Sequence, residues 1–358
     1  MNICEKHNFG GLLPCPYPGC PNGTANDCVT QDPGTGKAIT HERAFFTDVE
    51  QQPRYFWHTK DMPFALGANH LARGEMARLN AEKVDLIYHY TTVDALQKII
   101  ESQSLWLTDY AYLNDSSEVQ HGLQIAHEAL RDFGSDQVIA KIFANVVDSP
   151  IELLPRLCVA CFSLDGDSLS QWRAYSRGSS GVAIGFELTQ FFDGIGYPRQ
   201  ANLSRVVYDD DLKRCMLRNC FSYFEQAWKL DAAADPRHIE SYDNLLRGVF
   251  FELVVLCKDI GFQDERECRL VYHEDPGLFS RLPLKPAPKS FRVSGPMLVP
   301  YTTSAELDCI TDPQQFPIGR VVVGPHPHMN VIAAGIREFL QFRGYEKVPV
   351  DISTIPFR

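Results

Sequence analysis

The chain offers no run of apolar residues long enough to cross a bilayer. Its longest such stretch, residues 248–257, is short and broken by Glu252. The first residues, Met1-Asn-Ile-Cys-Glu-Lys-His7, lack the basic and then apolar pattern of a secretory leader, so a cytoplasmic protein is expected. Basic charge is also scarce: 34 Lys and Arg stand against 45 Asp and Glu, a net charge of -11, which argues against non-specific nucleic-acid binding through the bulk surface. Neither G-x-G-x-x-G nor a P-loop occurs, so dinucleotide-binding Rossmann and P-loop readings have no support. No internal repeat or low-complexity segment is present.

Hydrophobic residues make up 44% and charged residues 22% of the 358 positions, the balance of a globular chain. Eleven cysteines, an odd number, fit metal ligands and buried apolar positions in a reducing compartment better than a disulfide framework. Four soft or borderline donors cluster early: Cys4, His7, Cys15 and Cys20, with Gly and Pro between them to turn the chain. A tetrahedral structural zinc ion would close a segment that is too short to build its own core. The expected organisation is a zinc-binding module over residues 1–40, a linker over 41–85 with one helix near 69–83, and a single large domain over 86–358.

That domain reads as α+β. Strands are expected at 86–90, 157–163, 182–186, 205–208, 268–273, 320–323 and 348–352, where β-branched and apolar residues concentrate. Helices are expected after the Thr91-x-x-Asp94 capping spacing, over 118–133, 212–230, 239–260 and 331–342. Strands lie at both ends with helices grouped between them, which favours α+β over a doubly wound fold. Cys158 and Cys161 lie three apart on one strand, so their sulfurs point to opposite faces and packing is expected rather than metal or redox chemistry.

Three stretches concentrate polar and aromatic residues at strand ends. They are Tyr88-His89-Tyr90-Thr91 through Leu105-Trp106 to Leu113-Asn114-Asp115; Cys161-Phe162-Ser163 through Trp172-Arg173-Ala174-Tyr175 to Gly185-Phe186; and Asp264-Glu265-Arg266-Glu267-Cys268-Arg269. With Val321-Val-Val-Gly-Pro325 and Ser353-x-Ile355-Pro356, this order resembles the bacterial family described as domain of unknown function 2971, across 86–358. The first motif also looks like the opening of the ADP-ribosyltransferase fold, and that resemblance implies a split β-sheet core with flanking helices. It further implies an NAD site in which His89 takes the first-strand position, Tyr175 or Ser163 the middle one, and Glu267 the last.

The chemistry asks for such groups. Opening the nicotinamide–ribose bond builds positive charge on the sugar, which a carboxylate stabilises. The resemblance therefore assigns catalysis to Glu267, Glu265, His89 and Tyr175. It assigns NAD binding to His89, Tyr90, Ser163, Trp172, Arg173 and Tyr175, with Arg173 or Arg269 near the diphosphate. The implied activity is NAD-dependent ADP-ribosylation of a protein or nucleic acid, as in a toxin-like or antiphage effector, or hydrolysis of NAD. A partner protein or self-association is compatible with either. The alternative is a non-catalytic regulatory protein in which the zinc module binds nucleic acid or protein and the large domain is a scaffold.

Overall fold

A computed structural model describes residues 84–113, 116–131, 137–148, 156–175, 181–188, 201–274 (apart from 215, 219, 222–224, 226–245 and 248–249), 287–307 and 316–356. It also describes four two-residue strands: β1 (Ile3–Cys4) with β2 (Phe9–Gly10), and β3 (Thr30–Gln31) with β4 (Ala38–Ile39). The side chains of Cys4, His7, Cys15 and Cys20 and the expected linker helix lie outside the described residues.

The described fold is mixed α+β around one large, mostly antiparallel sheet. Its strands are β5 (Leu86–Thr92), β6 (Trp106–Asp109), β7 (Leu157–Ser163), β8 (Gly181–Glu187), β9 (Ala201–Arg205), β10 (Glu267–His273), β11 (Ser290–Ser294), β12 (Met297–Thr303), β13 (Ile318–Val323) and β14 (Val350–Ile352). β7 is the branch point. Along one edge it pairs with β10 over its whole length, and β10 pairs onward with β9. Its other edge is shared. β6 takes Val159 and Cys158, while β5 touches only through Tyr88 opposite Ser163. Two arms therefore leave the same edge of β7: β6–β12–β11 and β5–β8–β13–β14. The sheet forks between β5 and β6.

Alternation along the strands sends side chains to two faces. One face carries Ile87, Cys158, Ala160, Phe162, Ile184, Cys268, Leu270 and Val323, packed with helices α1 (Val93–Ser102) and α5 (Met329–Phe342). The opposite face carries Leu157, Val159 and Val271, covered by α2 (Ser116–Arg131), α3 (Gln137–Val147) and helical residues within 216–254. α1 forms because Leu96, Ile99 and Ile100 recur on one side and because Thr92 caps it, its hydroxyl accepting the Ala95 N–H at 3.2 Å. The cap is one residue later than the Thr91-x-x-Asp94 spacing suggests, since β5 continues through Thr92.

Over the β5 arm a third, smaller cluster holds Tyr88, Tyr90, Trp172, Ala183 and Val322, with Ile355 against it. Trp172 and Tyr90 meet edge to face, centroids 4.6 Å apart. Two glycines make the room. A Cβ on Gly166 would sit 2.6 Å from the Tyr88 ring, and one on Gly324 would sit 2.8 Å from the Trp172 ring. The loop after β7 is then bolted to the C-terminal segment. Asp167 accepts from the Trp172 indole N–H, from the Ser353 hydroxyl and from both the N–H and hydroxyl of Thr354. These bonds outweigh the burial that opposes ionisation, and they hold the Asp167 carboxyl below its usual range.

Several expected boundaries move. The strand expected at 205–208 ends at Arg205, and Val207 makes only an isolated bridge to Cys257. The helix expected to reach 260 stops near Val254, and the chain enters a 3-10 helix, Ile260–Glu265. Strands β6, β11 and β12 and helix α3 were not anticipated. Among the described residues no helix is long and apolar enough to cross a membrane.

Gly166→Ala is expected to lower stability by about 1–3 kcal/mol, because the tyrosine ring it meets is fixed in a packed cluster. Gly335→Ala, in α5 with nothing within 4 Å of the added carbon, is expected to raise stability by about 0.5–1 kcal/mol. Urea unfolding of the two variants measures both signs.

Candidate functional site

The Tyr88–Ser163–Glu267 row runs across β5, β7 and β10 on one face of the sheet. Beside it lies a cluster of ionic side chains. Arg269, only 1% exposed, donates from Nε to Glu267 at 2.7 Å, from Nη2 to Glu118 and Glu267, and from Nη1 to the Val255 carbonyl. The Lys258 ammonium meets three carboxylates: Glu265 at 2.6 Å, Glu267 at 2.9 Å and Glu118 at 3.1 Å. The Glu267 N–H donates to the Tyr208 hydroxyl. Three acidic side chains thus share two cations.

Local backbone explains how Glu265 and Glu267 reach the same lysine. Alternate positions on a continuous strand would put Glu265 and Glu267 in line on one face. Instead β10 begins at Glu267, Glu265 closes the 3-10 helix, and Arg266 between them is left-handed, with φ 45°. That conformation is costly for a residue with a Cβ and persists only where surrounding contacts enforce it. Here the end of β7 supplies them: the Ser163 hydroxyl donates to the Glu265 carbonyl at 2.7 Å, and Leu164 N–H donates to the Arg266 carbonyl.

The two carboxylates are pushed apart. Burial opposes ionisation of Glu267, but Arg269 and Lys258 outweigh it and hold its carboxyl at about 2. For Glu265 burial prevails over the Lys258 bond, and its pKa rises. Glu267 is a fixed anion, with both oxygens occupied. Glu265 has one oxygen on Lys258 and is 20% exposed, so it is the reachable member of the pair. Tyr175, on helix α4 (Leu169–Tyr175), is 41% exposed overall. Its phenol is nonetheless pushed up by burial and by the nearby Cys161, Glu267 and Glu265.

The remaining sequence-predicted residues divide. Arg173 is exposed at the same helix end. Ser163 is 1% exposed and spends its hydroxyl on Glu265 and on the Asp165 N–H. Tyr90 and Trp172 are 5% and 3% exposed, their polar tips bonded to the 165–168 loop. They brace the site from within the core. His89 points to the other face, next to Phe162, and its Nδ1–H donates to the Cys161 carbonyl at 2.9 Å. The Cys161 thiol faces Glu267. His89 and Glu267 therefore approach one residue from opposite sides of the sheet and do not share a cleft. Cys158 and Cys161 are free, on opposite faces as their spacing requires.

Lys258, Glu118 and Asp167 were not singled out from sequence. Lys258 carries one weak signal, a lone cation closing an apolar run ahead of an acidic stretch. Glu118 and Asp167 carry none. Among the described residues no group of His, Cys, Asp and Glu is arranged to hold a metal ion.

Residues 171–270 match the model of a family described as Protein of unknown function (DUF2971). This segment is DUF2971-like. It runs from α4 to the middle of β10 and includes Trp172, Tyr175, Gly185, Lys258, Glu265, Glu267 and Arg269. The sequence resemblance drawn over 86–358 is thereby supported in this stretch. The DUF2971 match excludes His89, Glu118, Asp167 and the C-terminal segment that bolts the loop. No curated protein and no solved structure matches the chain.

Removing one partner of this buried network should be costly. Arg269→Met is expected to destabilise by about 3–5 kcal/mol, whereas Lys98→Met, which breaks an exposed pair with Asp94, is expected to change stability by less than about 1 kcal/mol. Because the Glu267 carboxyl is lowered on folding, its contribution is complete above about pH 4.5 and is lost as pH falls towards 2. Glu267→Gln should flatten the acid limb of stability in that window, as followed by circular dichroism.

Proposed function

We propose that the domain cleaves the nicotinamide–ribose bond of NAD and passes ADP-ribose to a macromolecule or to water. The single supporting observation is the carboxylate pair Glu265 and Glu267, which share Lys258 and have pKa values displaced in opposite directions. Pairs so displaced divide acid–base labour. In this reading Glu265 orients or deprotonates the acceptor, because its raised pKa suits proton transfer. Glu267 supplies the fixed negative charge of the cluster, and Tyr175 offers a ring at its open side. Arg173, exposed at the end of α4, is within the same region for a diphosphate. Such a reaction needs charge stabilisation where the sugar becomes cationic, and a cluster with more carboxylates than cations favours it.

His89 has no part in this version, since it serves the fork rather than the carboxylates. The split sheet, with β5 and β6 both leaving one edge of β7, is the feature that accords with the ADP-ribosyltransferase resemblance. A second reading has its own observation: both oxygens of Glu267 are taken by cations, as in a purely structural ion cluster. On that reading the domain is a scaffold and the N-terminal segment, with zinc, does the binding.

Incubation of the full chain with NAD and cell lysate is expected to release nicotinamide and label macromolecules. Glu265→Gln should reduce nicotinamide release by about 10²–10⁴-fold while leaving the fold intact. Tyr175→Ala should lower the rate with only a modest loss of stability, because the residue is 41% exposed. Unchanged turnover in Glu265→Gln, or no turnover in the parent, would sink the proposal in favour of the scaffold.

A further inference from the structure

A concavity lies in the mouth of the fork, with a volume of about 590 Å³. Its walls include His89 and Thr91 of β5, Lys98 and Glu101 of α1, Trp106 and Thr108 of β6, and Arg292 of β11, so two cations stand against one carboxylate. Neither Glu265, Glu267 nor Tyr175 lines it. The volume is that of a small-molecule site.

The fork itself creates this site. Where β5 and β6 diverge, β7 loses its neighbour on that edge, and the carbonyl of Cys161 would be left without a strand partner. His89 fills the role, its Nδ1–H donating to that carbonyl. The bond fixes the tautomer and leaves Nε2 as an acceptor at the cavity wall. Burial keeps the ring neutral by lowering its pKa, against the smaller opposing effect of the Cys161 bond.

Across the cavity stands a cation beside an aromatic plane. The Arg292 guanidinium donates from Nη2 to the Thr108 hydroxyl at 3.2 Å and lies 5.9 Å from the centre of the Trp106 ring. Its Nε is buried with no hydrogen-bond partner, so the Thr108 bond alone does not satisfy the guanidinium. Trp106 is stacked on Tyr301, centroids 4.5 Å apart, yet it is 42% exposed. An indole held by a second ring, with a guanidinium beside it and much of its surface in solvent, offers a platform for a planar ligand. Lys98, on the exposed side of α1, brings a second cation whose only described partner is Asp94, one turn earlier on the same helix.

We propose that the fork binds a small planar anion of mononucleotide size, its ring against Trp106 and its phosphate on Arg292 and Lys98. His89 Nε2 and the hydroxyls of Thr91 and Thr108 then fix its polar edges. The site is independent of the carboxylate cluster, so it stands or falls apart from the NAD reading.

Titration of the full chain with AMP, by calorimetry and by the intrinsic fluorescence of tryptophan, tests it. Saturable binding is expected, at least about tenfold tighter for AMP than for inorganic phosphate or adenosine alone, because each half of the ligand meets its own wall. Arg292→Gln and Trp106→Ala should each weaken AMP binding by about tenfold or more. Lys98→Gln, on an exposed helix face where the fold is not at risk, should weaken it by about threefold. Arg320→Gln, at an exposed pair with Asp351, should leave it unchanged, and so should Glu265→Gln. Absence of saturable AMP binding, equal affinity for phosphate or adenosine, or binding indifferent to Arg292→Gln and Lys98→Gln overturns the proposal.

Discussion

Burying Arg269 is the constraint around which the rest of the domain is arranged. A guanidinium withdrawn from water demands acceptors on several sides, and the fold delivers them from three separate elements. Glu267 comes from its own strand, Glu118 from the first turn of α2, and the Val255 carbonyl from the end of a helix that must stop there. Lys258 follows from the same requirement, since two carboxylates around one guanidinium leave unbalanced charge. The left-handed Arg266, the short 3-10 helix and the bridge between Val207 and Cys257 are the backbone adjustments that bring these groups within reach.

The aromatic cluster on the β5 arm solves a different problem. Tyr88, Tyr90 and Trp172 are large rings pressed against a sheet, and they fit only where Gly166, Gly185 and Gly324 leave space. Tyr90 and Trp172 hold the 165–168 loop, and Asp167 ties that loop to Ser353 and Thr354 near the chain end. Some motif residues that look like ligand contacts in a linear reading are therefore explained by packing: Trp172, Gly185 and the Ser353-x-Ile355 ending meet in one place, while Phe186 packs on the opposite face. Tyr175 escapes this fate because it lies on the last turn of α4, past the buried Trp172.

Cys161 joins the two candidate regions without merging them. Its carbonyl is used by His89 at the fork, and its thiol faces Glu267 in the ionic cluster. A single strand thickness separates a neutral imidazole from a deeply ionised carboxylate. That arrangement permits two regions of different chemistry, one with carboxylates and a phenol, the other with two cations, one carboxylate and an indole.

Periodicity along the chain was sufficient to establish the class of fold and many of its elements. β5, β7, β8, β10 and β13 have apolar residues in strand pattern, and α1, α2 and α5 repeat them at helical spacing, because each must bury one face whatever its partner. It missed β11 and β12 for definable reasons. β11 turns Phe291 and Val293 outward, at 59% and 75% exposure, and β12 carries Pro300, which argues against a strand unless the missing N–H falls where no ladder bond is needed. The motif pattern likewise marked Glu265, Glu267 and Tyr175 as a group, but it could not show which face of the sheet each side chain would occupy. Only the tertiary structure decided that His89 lies across β7 from the carboxylates, that Lys258 and Glu118 complete the cluster, and that the sheet forks. Those outcomes depend on register and on contacts more than a hundred residues apart, and a linear pattern carries no information about either until the strands are paired.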